Sequence, residues 1–213
     1  MSDMSDPDAE AVATAAETSA PARKRPKPGE RRIQILQTLA GMLEQPGAER
    51  ITTAALAARL QVSEAALYRH FASKAQMFDG LIEFIETSIF TLVNQIVERE
   101  PSGALQARKI AAVVLQFGEK NPGMTRVMVG DALVFEHERL QQRMNLLFDK
   151  FDAALRQALR ESASSSDTPT LDTSVLAGVL TAFAVGRLQR YARSGFKRSP
   201  TEHLDAALGL LVA

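Results

Sequence analysis

Cysteine is absent from the 213 residues, which excludes disulfide staples, thiolate metal sites and cysteine nucleophiles. Strand signals are nearly absent too, so a sheet is not expected. No basic start leads into an apolar run in MSDMSDPDAEAVATAAETSAPA, so this segment does not read as a secretory signal. No later stretch offers the roughly 18 uninterrupted apolar residues of a bilayer span. A soluble chain that stays in the cytoplasm is the expectation. The three histidines, His70, His137 and His203, are too dispersed to form a metal-ligand motif. Nucleophile and base sets and Gly-rich phosphate loops are also missing, so no enzyme, cofactor or metal site is expected. The acid pair Glu136 and Glu138 reads as a solvated helix start.

An excess of charge is lacking as well, with 25 basic against 25 acidic residues, but the balance conceals a segregation. Residues 1–22 hold Asp3, Asp6, Asp8, Glu10 and Glu17 and no base. Residues 23–32 hold Arg23, Lys24, Arg25, Lys27, Arg31 and Arg32 against Glu30. A basic arm entering a folded domain is a common footprint of phosphate contact, and Arg32 closes it. A solvated tail explains the arm equally well. Up to about Pro28 the composition cannot bury enough surface to offset chain ordering, and it reads as disordered.

From there on, apolar residues recur at helical spacing and the chain reads as all-α, with about nine helices. The first covers about Glu30 to Glu44, with Ile33, Leu36, Ala40 and Leu43 on one face, and ends near Pro46-Gly47. Two short helices follow, Thr53 to Leu60 and Glu64 to His70. Ser73 then caps a long helix, with Gln76 completing a capping box. That helix carries an apolar stripe through Phe78, Leu81, Ile82, Ile85, Ile89, Leu92, Val93 and Ile96. A helix from Ser102 to Lys120 is followed by Asn121-Pro122, a cap and a first-turn proline. Leu140, Met144, Leu147, Phe151 and Ala158 mark a long helix from about His137 to Glu161. Ser162 to Pro169 reads as a polar loop. The last helices run from Leu171 to Arg193 and from a second capping box at Ser199-Pro-Thr-Glu202.

The segment ITTAALAARLQVSEAALYRHFASKAQMFD carries the most specific signal. Ala57 falls where crossing helices need a small side chain, Val62 and Leu67 supply buried anchors, and Ser63 can cap the second helix. Together they describe a helix-turn-helix, whose second helix lies in the major groove while the first crosses the backbone. Glu64, Ala65, Ala66, Tyr68 and Arg69 are the candidates for its outer face. An alanine suits a thymine methyl and Arg69 suits guanine or phosphate. Tyr68, His70, Thr52 and Thr53 suit phosphate oxygens. Lys74 opens the next helix, where free N–H groups favour one more phosphate. Arg32 and Ser63 complete the candidate DNA-binding set.

SEAALYRHFASKAQMF resembles the signature of TetR-family regulators, whose reading helix ends in a Leu-Tyr-x-x-Phe run followed by a lysine. Gln61 departs from the glycine usual at the turn. Over nearly the whole folded chain, FGEKNPGMTRVMVGDALVFEHERLQQRMNLLFD and RSGFKRSPTEHLDA also resemble the nucleoid-occlusion branch of that family. The resemblance implies dimers bound to palindromic chromosomal sites on the nucleoid that capture the division protein FtsZ and stop ring assembly. It further implies a groove for the FtsZ C-terminal tail, at positions Phe84, Leu92, Val113, Gln116, Lys120 and Asn121. Leu92 and Gln116 stand where the branch carries a basic residue and a glycine. Ordinary core packing is the competing reading of Phe84 and Val113.

A homodimer is expected from the last two long helices, with Leu176, Leu180, Phe183, Leu188 and Tyr191 as a broad apolar face and Ala177, Gly178, Ala184 and Gly186 permitting close approach. Core packing within one subunit competes for the large residues, and both roles are expected to hold. The resulting division is a tail with a basic arm over 1–28, a helix-turn-helix domain over 29–73, and a dimerisation and partner-binding bundle over 74–213. The alternative on the same fold is a ligand-responsive repressor, its effector pocket lined by Phe117, Met124, Met128, Phe148 and Phe183.

Overall fold

A computed structural model describes residues 29–45, 50–164 and 172–212. The acidic tail, residues 23–28 of the basic arm and the Pro46-Gly47 stop lie outside the described residues. Among the described residues the chain forms nine α-helices and one short 3-10 turn, and no strand. They are α1 (Glu30–Leu43), α2 (Thr53–Leu60), α3 (Glu64–Tyr68), α4 (Lys74–Arg99), α5 (Gly103–Lys120), α6 (Pro122–Met128), α7 (Glu138–Ser164), α8 (Thr173–Arg193) and α9 (Leu204–Leu211), with the 3-10 turn at Asp131–Leu133.

The first three helices form a small unit around Ile35, Leu39, Leu56, Ala57, Leu67 and Phe71, all buried. The α1 face differs from expectation. Ile33 is exposed and Leu36 only half-buried, while Ile35 and Leu39 point inward. The wide apolar arc of α1 admits either rotation, and packing against α2 and α6 selects the second.

α4 joins this unit to the rest. Its length and apolar content would suit a membrane span, but Met77, Phe78, Leu81, Ile82, Ile85 and Ile89 are buried in the protein core. Each such side chain contributes about 1.5–3 kcal/mol on leaving water. The opposite face is polar and ties to α7. Asp79 pairs with Arg139 and Arg143, and Glu86 pairs with Arg143 and Lys150. The Lys150 hydrogen bond, helped by the charge of Arg143, holds the Glu86 carboxyl below the usual glutamate range.

Behind α4, α5 packs on α7 and α8. Leu140, Met144, Leu147, Phe151, Leu155 and Ala158 of α7 are all buried. The N-terminus of α7 is closed by the His137 ring, whose Nδ1 accepts from the Arg139 N–H at 3.2 Å. α7 runs to Ser164, so the first residues of the expected polar loop are helical, and residues 165–169 lie outside the described set. The last helix also starts later than expected. Ser199 accepts from the Thr201 N–H at 3.2 Å, but turns occupy 200–203 and α9 begins at Leu204, after His203 in a left-handed conformation.

Two sets of expected residues are corrected. Leu180 and Leu188 are fully buried within the single chain, and Tyr191 is buried with its hydroxyl donating to the Glu119 carbonyl at 3.1 Å. These three pack in the subunit core, and the outer side of α8 exposes Val175 and Val179. Among the proposed pocket residues, Phe117 and Met128 are buried and Met124, Phe148 and Phe183 pack against the same core.

Two backbone positions set how the reading unit sits. A Cβ added at Gly123 of α6 would stand 2.0 Å from the Ala40 carbonyl oxygen of α1, so only glycine allows these helices to touch. Gln61 ends α2 in the left-handed region at φ 55°, ψ 47°, its N–H donating to the Ala57 and Ala58 carbonyls. We expect Gly123→Ala to lower stability by about 1–3 kcal/mol, seen as a reduced thermal midpoint, because the contact is backbone and cannot yield. Gln61→Gly should instead raise stability by about 1 kcal/mol in denaturant titration; an unchanged or lower midpoint would refute the strain.

Candidate nucleic-acid interface and partner groove

Three capped helix starts build the reading end. Thr52 is extended and its hydroxyl accepts from the Ala55 N–H at 3.1 Å; Ser63 accepts from the Ala66 N–H at 3.3 Å; Ser73 accepts from the Gln76 N–H at 3.2 Å. The Gln76 carboxamide oxygen accepts from the Ala72 N–H at 2.8 Å, one residue earlier than in a regular capping box. Each cap satisfies an N–H that the first helical turn leaves open. Thr52 is therefore structural as well as a candidate phosphate contact, and its loss would disturb α2 along with any DNA affinity.

The helix α3 is shorter than expected. The His70 and Phe71 N–H groups both donate to the Leu67 carbonyl, at 2.9 and 3.1 Å, and this tightened turn drives Phe71 into the core. Leu67 anchors the helix fully, whereas Val62 is only half-buried. Glu64, Ala65, Tyr68 and Arg69 lie exposed on the outer face, with Ala66 and His70 half-buried at its edges. Thr53 donates to the Glu64 carboxylate at 2.6 Å, and the Tyr68 hydroxyl reaches Thr53 at 3.5 Å, so the two helices present one polar cluster.

Arg32 and Lys74 are already engaged. Arg32 donates to the His70 carbonyl and its guanidinium stands 4.1 Å from the centre of the Phe71 ring, bracing the end of α3 from α1. Lys74 pairs with Glu136, a mostly buried carboxylate at the entry to α7, which corrects the reading of Glu136 as solvated. A cleft of about 430 Å³ opens beside this pair, lined by Arg50, Ile51, Thr52, Thr53, Lys74, Phe135 and Glu136. Arg50 and Phe135 were not anticipated, since no local pattern ties either to the reading helix 14 or more residues away in sequence.

From the middle of α4 onward, three large apolar side chains lie exposed, Phe84, Leu92 and Val97. Phe84 is 49% exposed and Leu92 is 44% exposed. The Phe84 ring lies 6.4 Å from that of Phe117 on α5, so the two helices frame a shared surface. Val113 is half-buried beside it, and Gln116 and Lys120 are exposed on the same helix. Asn121 closes α5, its side-chain N–H donating to the Phe117 carbonyl at 2.8 Å. A cleft of about 240 Å³ continues along the groove, lined by Leu92, Gln95, Ile96, Arg99, Glu100, Lys109 and Val113. Of these, Arg99 is absent from the sequence-based set although it lies seven residues, two helical turns, beyond Leu92; that spacing was a usable signal. Lys109 donates to Glu100 at 2.6 Å and holds its carboxyl below the usual range.

The sequence is similar to known proteins along its length. Residues 35–81 match the N-terminal domain of the bacterial regulatory proteins of the tetR family, and residues 103–213 match the SlmA-like, tetracyclin repressor-like C-terminal domain. The nucleoid occlusion factor SlmA of Idiomarina loihiensis is 50% identical over 177 residues, 83% of this chain and 90% of the relative. Its counterpart in Enterobacter sp. (strain 638) is 50% identical over 194 residues, 90% and 98% of the two chains. Among solved structures, the TetR family transcriptional regulator PfmR from Thermus thermophilus superposes with a TM-score of 0.71 at 19% identity, covering 84% of this chain and 97% of that one. The chain belongs to the TetR family of non-enzymatic DNA-binding regulators and, within it, to the SlmA nucleoid occlusion factors.

Proposed function

We propose that this chain acts on the nucleoid, in the cytoplasm, as a dimer that binds palindromic chromosomal sites and inhibits FtsZ ring assembly there. The observation that carries the reading is the exposure of Phe84 and Leu92 on a helix whose inner face, from Met77 to Val93, is buried. Burying either ring or isobutyl group in the subunit would have been favourable, so a surface that leaves both out is suited to a partner. An extended or helical peptide with apolar anchors and acidic groups fits that surface, as the C-terminal tail of FtsZ would. Phe84, Leu92 and Val113 would hold its apolar residues, Gln116 and Asn121 its amides, and Lys120 its acids. Arg99 supplies a basic group near Leu92, where the family's own basic residue is missing.

For DNA, Arg69 and Tyr68 would meet base edges or phosphates directly, with Ala65 and Ala66 against thymine methyls. Thr52, Thr53, Ser63, Glu64 and His70 surround them, and Arg32 acts by positioning the end of α3. Lys74 reaches a phosphate only by exchanging its Glu136 partner. Two reading helices one helical turn apart, roughly 34–36 Å, would address successive major-groove faces. The dimer would form through α7 and α8, with Leu146, Val175, Leu176, Val179 and Phe183 on or beside their open faces. Residues 29–73 would then be the reading unit and 74–213 the dimer and partner unit.

Arg69→Ala should weaken binding to a palindromic duplex and reduce the slope of log affinity against log salt by about one, measured by fluorescence anisotropy. Phe84→Ala should leave that affinity unchanged and weaken capture of a labelled FtsZ tail peptide by about tenfold or more. Phe84→Ala that binds the peptide normally would remove the groove assignment; joint loss of DNA and peptide binding would show a folding defect instead.

A further inference from the structure

The last turns of α8 and the loop that joins it to α9 gather cations in excess of anions. Residues 187–203 contain Arg187, Arg190, Arg193, Lys197 and Arg198 against the single acid Glu202, in a chain whose formal charge is zero. Three of these arginines line a cleft of about 100 Å³ together with Ser199, Pro200, Glu202 and His203. The walls are built, not draped. Arg187 donates to the Pro200 and Glu202 carbonyls at 3.0 and 2.6 Å, and its guanidinium stands 4.6 Å from the Phe183 ring centre. From the other side, Thr201 donates to the Glu119 carboxylate at 2.6 Å and Ser199 donates to its second oxygen. Glu119 keeps its charge but is held by these hydroxyls and forms no ion pair with the arginines among the described residues. Glu202 is exposed, 3.9 Å from the His203 ring.

Arg190 and Arg198 have no ion-pair partner among the described residues. Three guanidinium groups line the cleft against the single carboxylate of Glu202, which leaves it an excess of positive charge that an oxyanion entering it would offset. Guanidinium forks match the geometry of phosphate better than that of chloride, because two parallel N–H groups reach two oxygens. The cleft is large enough for a phosphate group and leaves the remainder of a ligand in solvent.

We propose that the α8–α9 cleft is a binding site for a soluble phosphate-bearing ligand, held by Arg190 and Arg198 with Arg187 adding positive charge. The site has a consequence that rests on the peptide-groove reading. Ser199 and Thr201 belong to the loop an anion would order, and they grip Glu119, the neighbour of Lys120 at the end of α5. A bound phosphate would then stiffen the basic end of the groove.

The test is calorimetric titration of the full chain with pyrophosphate at constant ionic strength, beside an equal-ionic-strength chloride titration. One saturable site per chain is expected, absent with chloride, and ATP should compete for it. Arg190→Ala/Arg198→Ala should weaken binding by at least about tenfold, Arg198→Lys should give an intermediate loss, and Arg69→Ala on the reading helix should bind as the parent does. Circular dichroism confirms that each variant is folded. Undiminished binding by the double variant, or loss of binding in Arg69→Ala, overturns the proposal, since the anion then sits elsewhere. A double variant that loses duplex affinity while keeping pyrophosphate also overturns it and assigns the arginines to DNA. Failure of FtsZ peptide binding in the parent would refute the groove while leaving the pyrophosphate result intact.

Discussion

The burial of one face of α4 is the constraint on which the rest of this structure depends. From Met77 to Val93 its inner side chains are shared between the reading unit and the helical bundle, so neither packs without it. The helix begins at Lys74, beside the helix-turn-helix, and passes Phe84 and Leu92 on its way to Arg99. Both candidate surfaces therefore ride on a single rigid element, about 39 Å long at 1.5 Å per residue over its 26 residues.

A second layer of interactions decides how α4 is oriented. Its polar face is clipped to the entry and body of α7 by Lys74–Glu136, Asp79–Arg139, Asp79–Arg143, Glu86–Arg143 and Glu86–Lys150. The outer pairs are partly exposed and individually weak, while the mostly buried Glu136 carboxylate makes its pair more consequential. Its partner, Lys74, is the lysine proposed to meet a DNA phosphate. On that proposal, competition between a carboxylate in the bundle and a phosphate outside it would link the reading end to the bundle. Arg32 plays the complementary part inside the reading unit, tying α1 to the turn that ends α3.

Much of the architecture was legible because local chemistry and tertiary packing agree. Thr52, Ser63 and Ser73 are caps by residue type, position and observed hydrogen bonds, and the starts of α2, α3 and α4 follow from them. The buried residues of α7 sit at the expected spacing because its polar remainder permits only one rotation. α1 failed where its apolar arc was broad, since Ile33 and Ile35 are equally apolar and only contact with α2 and α6 separates them. α8 shows a related ambiguity. Its large apolar residues suit either core or interface, and Leu180 and Leu188 are buried in the subunit core while the outer side carries the smaller Val175 and Val179 with Gly178.

Sequence alone determined the helical class, the helix-turn-helix, its caps and the strained turn at Gln61, because each is decided by spacing within a few residues. It also pointed to the positions of the α4–α5 groove through family resemblance. Tertiary structure decided which charges are free. Lys74 and Arg32 are occupied by partners 62 and 38 residues away, Glu119 is held by two hydroxyls from a distant loop, and Arg190 and Arg198 are left without an ion pair among the described residues. Electrostatic pairing depends on distance in space, and no one-dimensional pattern of charge records which opposite charge arrives first.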